Sequence, residues 1–525
     1  MATSPVSDNA LSRAVDAFTA VLGAERVLVG EQAHRDEFRD PYQPASWDTY
    51  LASAVVLPES TEEVQAIVRI ANEHRIPLWT HSTGRNNGYG GAAPGYPGAV
   101  LVSLRRMNRI LEINEELAFV VVEPGVTWHD LYTAITAGGH RLMMTNTTLG
   151  WGSVIGNTLE HGLTFGPMGF DYRAPCGLEV VTPEGDLLRT GMGAMSNNPA
   201  WHVYKRSFGP SIDTLFMQSN LGIVTKMGFW LLPAPESFVY VAGRVWNDDD
   251  LAPLADVTRR LLMERTLEGV PSIRNTLLAA SALATRQDFY DGEGPIPEPV
   301  IARMARELEL GRWSFQTGLY GHEAQVDMQF ERTKAAIEGA IPGAEIWGKK
   351  VPFDLIPTLE DPNELVFGGV PNRPLLDADG WGSGIQEGHV DFSSIVPLVG
   401  ADVLSVHKLM RTVLERDAGL DYCASSNFIN PRTSINIGLI GFDASDEAVT
   451  RRTYDTLKNM VATAAEHGYS EYRAHIAHMD EVADYFDFND HAYRRFIETI
   501  KDAVDPNGIL SPGKQGIWPA HLRNV

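Results

Sequence analysis

The stretch "STGRNNGYGGAAPG", Ser82 to Gly95, follows the apolar run Arg75 to Thr80 and sets five glycines around Arg85, Asn86, Asn87 and Tyr89. Glycine tolerates positive φ and lets main-chain N–H groups approach an anion closely, so such a loop after a strand suits a bound pyrophosphate. It is not the nicotinamide-dinucleotide fingerprint. Gly88-Tyr89-Gly90-Gly91 lacks the G-x-G-x-x-G spacing, and Pro94 breaks any helix that would have to open there. That excludes a Rossmann fold; taken alone, the loop also reads as a tight connection between strands.

Outward from the loop, the first half alternates strands and helices. "SAVVLP" (Ser53 to Pro58) reads as a strand. "ESTEEVQAIVRIANEH" (Glu59 to His74) reads as a helix, with Ser60 and Glu63 at capping-box spacing and Val64, Ile67, Val68 and Ala71 at helical period. The strand "RIPLWTH" enters the glycine loop. After it come the strands "AVLVSL" and "AFVVVEPG", a helix from about Trp128 to Ala137, and a hairpin "GLEVVTPEGDLLRTG" turning at Pro183-Glu184-Gly185-Asp186. From about Pro233 the texture changes. Helical stretches "EPVIARMARELELG", "EAQVDMQFERTKAAIEGA" and "DEAVTRRTYDTLKNMVATAAEHG" alternate with strand candidates "SVHKLM" (Ser405 to Met410) and "TSINIGLIGFD" (Thr433 to Asp443). The expected class is α+β, with two joined domains.

The 525 residues exceed what one core usually organises. With 44% hydrophobic and 21% charged residues the composition is that of a soluble globular protein. No apolar run approaches the roughly 20 residues of a spanning helix, and "MATSPVSDNALSRAVDAF" lacks the features of a signal peptide, so no membrane association and a cytoplasmic location are expected. Cys176 and Cys423 alone cannot build a disulfide scaffold or a zinc ribbon. A net charge of −24 argues against nucleic acid as a partner. "HIAHMD" spaces His475, His478 and Asp480 as a helical metal site would, but no metal is expected.

Further segments share the loop's character: "LGWGSVIGNTLEHGLTFGP" (Leu149 to Pro167), "QSNLGIVTKMGFWL" (Gln218 to Leu231) and "VEPGVTWHDL" (Val122 to Leu131). With these, "GHVDF" and "GYSEYRAH", the chain resembles flavoproteins of the vanillyl-alcohol oxidase and para-cresol methylhydroxylase family, most closely the bacterial eugenol oxidases, from Phe38 to Pro519. The resemblance implies a PCMH-type FAD-binding domain (1–235), an α+β cap domain over the substrate (236–475) and a C-terminal segment (476–525) returning to the first domain. It assigns FAD contacts to Ser82, Thr83, Gly84, Arg85, Asn86, Asn87 and Gly88, to Ser153, Gly156 and Asn157, to Asn220, Gly222, Ile223 and Val224, and to Lys514. His389 matches the histidine bonded covalently to the flavin 8α carbon.

Tyr89, Tyr472 and Arg473 match the family trio around a phenolic oxygen. A phenol of pKa near 10 needs roughly 4 kcal/mol of differential stabilisation to ionise near pH 7. One cation about 4 Å away supplies roughly 4 kcal/mol at an effective dielectric near 20. The resemblance thus implies oxidation of para-substituted phenols (4-hydroxybenzyl alcohols, 4-alkylphenols and 4-allylphenols). Hydride passes from the benzylic carbon to flavin N5 through a para-quinone methide, with reoxidation by O2 to hydrogen peroxide, in a homodimer or dimer-based octamer. A dehydrogenase handing electrons to a carrier, a flavoenzyme of non-phenolic donors and a non-enzymatic flavin or phenol binder stay open at this stage.

The chain departs from the family where relatives carry an aspartate before "LGWGS". Thr148 stands there, and a threonine hydroxyl is no general base near neutrality. Glu387 and Asp391 flank His389 at two-residue spacing, which in a strand puts all three on one face, so one of them is a candidate for a relocated carboxylate; the alternative is that both are solvated and the pocket is less basic. Phe165 and Thr148 complete the expected substrate pocket.

Overall fold

The computed structural model describes residues 6–43, 50–169, 173–372, 381 and 387–523. Strands before Pro233 form two main sheets. One has the order Val27–Val29, Ala54–Val56, Val100–Ser103, Leu78–His81, with the last three parallel. The other is antiparallel: Ile110–Asn114, Phe119–Val122, Ile223–Trp230, Pro175–Val181, Leu187–Arg189. Helix Thr61–His74 covers the first sheet with Val64, Ile67, Val68 and Ala71. Its capping box is one-sided: Ser60 Oγ accepts from the Glu63 N–H, but the Glu63 carboxylate turns to Arg26 and the Glu59 N–H.

From Ser237 onward a single eight-stranded antiparallel sheet dominates. Its order is Glu345–Pro352, Ser237–Val245, Trp313–Gly321, Ser272–Asn275, Cys423–Asn430, Thr433–Asp443, Glu387–Pro397, Ser470–Glu471. Helices Leu251–Met263, Glu323–Ala340, Gly400–Asp417 and Glu447–Glu466 pack on it. "SVHKLM", expected as a strand, lies inside helix Gly400–Asp417. The short window reads as alternating, whereas the buried set Val403, Val406, Met410, Val413 and Leu414 repeats with the helical period only over the longer segment.

The chain end returns to the first sheet. Leu78 bridges Leu510 in parallel, through Leu78 N–H to Ile509 O and Ser511 N–H to Leu78 O, both 2.7 Å. Lys501 fastens this return. Its fully buried ammonium donates to Asp505 Oδ2 (2.7 Å), Leu510 O (2.7 Å) and Asn220 O (2.8 Å), while the Asp505 carboxylate accepts from the N–H groups of Ile509 and Leu510. No helix among the described residues is long and apolar enough to cross a membrane.

Breaking a buried ion pair by removing one partner strands the other charge, at about 3–5 kcal/mol. Lys501→Ala should lose stability on that scale, measured as a lowered urea midpoint by tryptophan fluorescence.

Candidate active site

Two adjoining cavities lie where the glycine loop meets the large sheet. The first, about 180 Å³, is lined by Ser82, Thr83, Gly84, Arg85, Asn86, Ser153, Gly156, Asn157, Asn220, Gly222, Ile223, Val224 and Lys514. The second, about 240 Å³, takes Asn87, Tyr89, Thr148, Phe165, His389, Asp391 and Tyr472. Arg85, Gly152, Asn157 and Arg473 line both, so the two form one elongated cleft.

Several of the expected cofactor residues, Ser153 and Lys514 among them, have their side chains engaged within the protein. Ser153 Oγ donates to Pro124 O (2.6 Å) and accepts from the Gly156 N–H (2.9 Å), capping helix Val154–Leu159, and Lys514 pairs with Glu160. Buried polar atoms without partners among the described residues also belong to side chains lining the first cavity. Asn220 Oδ1 is one, and both ring nitrogens of His81 are others. Burial lowers the His81 pKa to about 3, so the ring is neutral and offers one donor and one acceptor. His81 went unnoticed in the sequence because a lone histidine at a strand end carries no pattern. The bare loop backbone, these unsatisfied atoms and the length of the cleft fit FAD.

Gly88 faces neither cavity. It has φ +77°, its carbonyl accepts from the Asp391 N–H (3.1 Å), and a Cβ there would stand 2.2 Å from Asp391 Oδ2 and 2.9 Å from His389 Nε2. The loop therefore seats directly on strand Glu387–Pro397, where period two brings His389 and Asp391 to the cavity, with His389 Nε2 3.8 Å from Asp391 Oδ2. Burial lowers the His389 pKa to about 4 and pushes the Asp391 carboxyl up to about 7 despite the nearby Arg473. Glu387 pairs with Asp443 in the strand, but its side chain lies outside the described residues.

The expected trio does converge. The Arg473 guanidinium sits 4.2 Å from the Tyr89 ring centroid and donates to Asn86 Oδ1, and its buried Nε has no partner among the described residues. The Tyr89 hydroxyl lies 2.6 Å from Ser393 Oγ. Tyr472 is held by its backbone, through its N–H to Ser393 O (3.2 Å) and its carbonyl to Gln218 Nε2 (2.8 Å). Burial and then the Asp391 charge raise the Tyr89 pKa, and burial raises that of Tyr472, so both phenols stay protonated donors. Burial opposes the charge of Arg473, but its acidic neighbours more than offset it, so the Arg473 pKa lies above its ordinary value and the proton stays.

Ser393 and Glu471 were missed in the sequence. Ser393 holds Tyr89 from 304 residues away, and its N–H donates to the buried Glu471 carboxyl (3.0 Å), which burial pushes up to about 8. Of the "HIAHMD" residues, His475 and His478 lie with ring centroids 6.0 Å apart, each against Tyr454, while Asp480 turns elsewhere. His475 pairs with Asp40 (3.0 Å), His478 precedes helix Met479–Asp484, and Asp480 accepts from Trp518.

Comparison with known proteins gives the following. A family model described as an FAD binding domain matches residues 52–191, and one described as the C-terminal domain of FAD-linked oxidases matches residues 435–515. The flavoprotein subunit of 4-cresol dehydrogenase (hydroxylating) from Pseudomonas putida is 33% identical over 98% of this chain and 96% of its own. Among solved structures, 4-ethylphenol oxidase from Gulosibacter chungangensis, in complex with isoeugenol, superposes with a TM-score of 0.93 at 39% identity over 99% of both chains. p-Cresol methylhydroxylase with substrate bound does so with 0.90 at 32% identity over 98% of both.

The seat of the loop is testable. A Gly88→Ala side chain must adopt left-handed backbone at about 1–3 kcal/mol and displace Asp391. Its FAD content, read as the ratio of absorbance at 450 to 280 nm, should fall below wild type.

Proposed function

The chain belongs to the vanillyl-alcohol oxidase and para-cresol methylhydroxylase family of FAD-linked oxidoreductases, and from that premise we propose that it oxidises para-substituted phenols at the benzylic carbon with O2 as final acceptor. The observation that carries the reading is the half-buried Arg473 guanidinium, whose enclosed Nε has no partner among the described residues, beside two protonated tyrosines and a cleft that fits FAD.

Arg473, Tyr89 and Tyr472 receive the substrate oxygen as phenolate. Three donors to one oxyanion in a water-poor cavity offset its desolvation. Charge on the ring oxygen pushes through the para position and weakens the benzylic C–H bond, so the side chain must be para. FAD, when bound, supplies the hydride acceptor and the route to O2. Asp391, ionised above about pH 7, accepts a proton from water adding to the oxidised side chain, or from that side chain itself, the work Thr148 cannot do. His389 is neutral, as a nucleophile toward the flavin 8α carbon must be, which supports the covalent histidyl link. The higher identity to the ethylphenol oxidase than to the cresol dehydrogenase, 39% against 33%, supports oxygen over a protein carrier as acceptor.

4-Ethylphenol should reduce the flavin and release peroxide in air. Its O-methyl ether should be slower by at least about 100-fold, since it forfeits a charge-assisted anion site of about 3 kcal/mol; equal rates would sink the proposal. Acid precipitation should leave yellow colour on wild type and none on His389→Ala.

Product formation should rise with pH through about 7, because the Asp391 carboxyl must lose its proton before it can accept one. Asp391→Asn should erase that limb and lower kcat by about 10²–10⁴.

A further inference from the structure

Besides Arg85 and Arg473, the substrate cavity holds a third guanidinium. Arg274, on strand Ser272–Asn275, lines it with Ser272, Ser425 and Asn427. Its hydrogen-bond partners are neutral amide oxygens: Nη1 donates to Asn363 Oδ1 at 2.8 Å, and Nε to the Gln316 oxygen at 2.8 Å in the amide orientation that also satisfies Tyr240. No carboxylate pairs with it among the described residues, and Asp361, which acts on it only through space, has Oδ1 engaged by Asn363. Enclosed arginines elsewhere in the same half of the chain are neutralised directly, Arg286 by Asp421 and Arg312 by Asp248, each at 2.9 Å. Arg274 is half-buried, and a guanidinium drawn from water without a counter-ion is costly unless something else brings the negative charge.

Strand register fixes where that charge would sit. Arg274 opposes Ser425, Ser425 opposes Ile437, and Ile437 opposes Ser393, the residue that holds Tyr89. Three strand spacings put the Arg274 and Ser393 backbones roughly 14 Å apart. The cavity thus runs across one sheet face from the phenol trio to Arg274. A pocket built only for alkyl or allyl tails would be apolar at its far side, whereas here that side carries a cation and three small polar side chains.

Resting on the phenol reading above, we propose that Arg274 is a specificity-determining residue that binds a carboxylate on the substrate's para side chain, so that 4-hydroxyphenylalkanoates are a preferred substrate class. The phenolate is held at one side of the sheet face and the carboxylate at the other, which leaves the benzylic carbon between them.

The test uses the holoenzyme with 3-(4-hydroxyphenyl)propanoate and 4-propylphenol, which differ in carboxylate against methyl at the chain end. Wild type should show the higher kcat/KM with the acid, and the acid should raise its Tm. Because a hydrogen bond to a charged group is worth about 1.5–3 kcal/mol, Arg274→Gln should lower the acid-to-neutral ratio of kcat/KM about 10- to 100-fold, mainly through KM, and abolish the Tm rise. Arg274→Lys should recover part of both. The proposal is overturned if wild type oxidises 4-propylphenol yet neither turns over nor is stabilised by the acid, or if Arg274→Gln leaves the ratio unchanged. Failure of both compounds to reduce the flavin would instead overturn the phenol reading, and this inference with it.

Discussion

A cation half-enclosed where two structural units meet must be matched from both of them, and Arg473 is that cation. It follows the short edge strand Ser470–Glu471 of the large sheet, yet its contacts reach the glycine loop of the other unit, through Asn86 and the face of Tyr89. The interaction fixes the loop relative to the sheet, and so fixes the cleft. Gly88 repeats the logic one residue from Tyr89, where the absence of a side chain lets the loop lie against Asp391 and His389.

From that junction the division of labour follows. Residues before Pro233 and the returning chain end supply a groove of main-chain donors and small polar side chains, which suits an elongated anionic cofactor. The large antiparallel sheet supplies one face whose alternate residues can be polar or charged without disturbing the helices packed behind it. Low polarity at the junction is what gives its ionisable groups their character. Asp391 and Glu471 are held toward their protonated forms and His81 and His389 toward their neutral ones, each by burial. Burial thus brings the Asp391 carboxyl close to the neutral range, two positions from His389 on the same strand.

Much of this was legible in the chain because it is local. Strand Thr433–Asp443 and helix Trp128–Ala137 coincide with their expected limits, since period and capping residues are contiguous. Asp391 could be aimed because side chains two apart share a strand face. What stayed hidden depends on pairing between distant segments. Ser393 acquires its place from Tyr89, and Arg274 from a register running through three other strands. The helix at Gly400–Asp417 was misread for the opposite reason: six residues show an apolar alternation that eighteen resolve into a stripe.

The Lys501 clamp bears on how the molecule comes into being. The first sheet is completed only when Leu510 docks beside Leu78, a partner more than 400 positions earlier, and Asn220 in the cofactor groove is braced by the same ammonium. Contacts of such sequence separation form late, because the loop between the partners must close before the pairing can reward it. The amino-terminal sheet thus depends for this last pairing on a segment that follows the large sheet in the chain, and so does the bracing of Asn220 in the cleft.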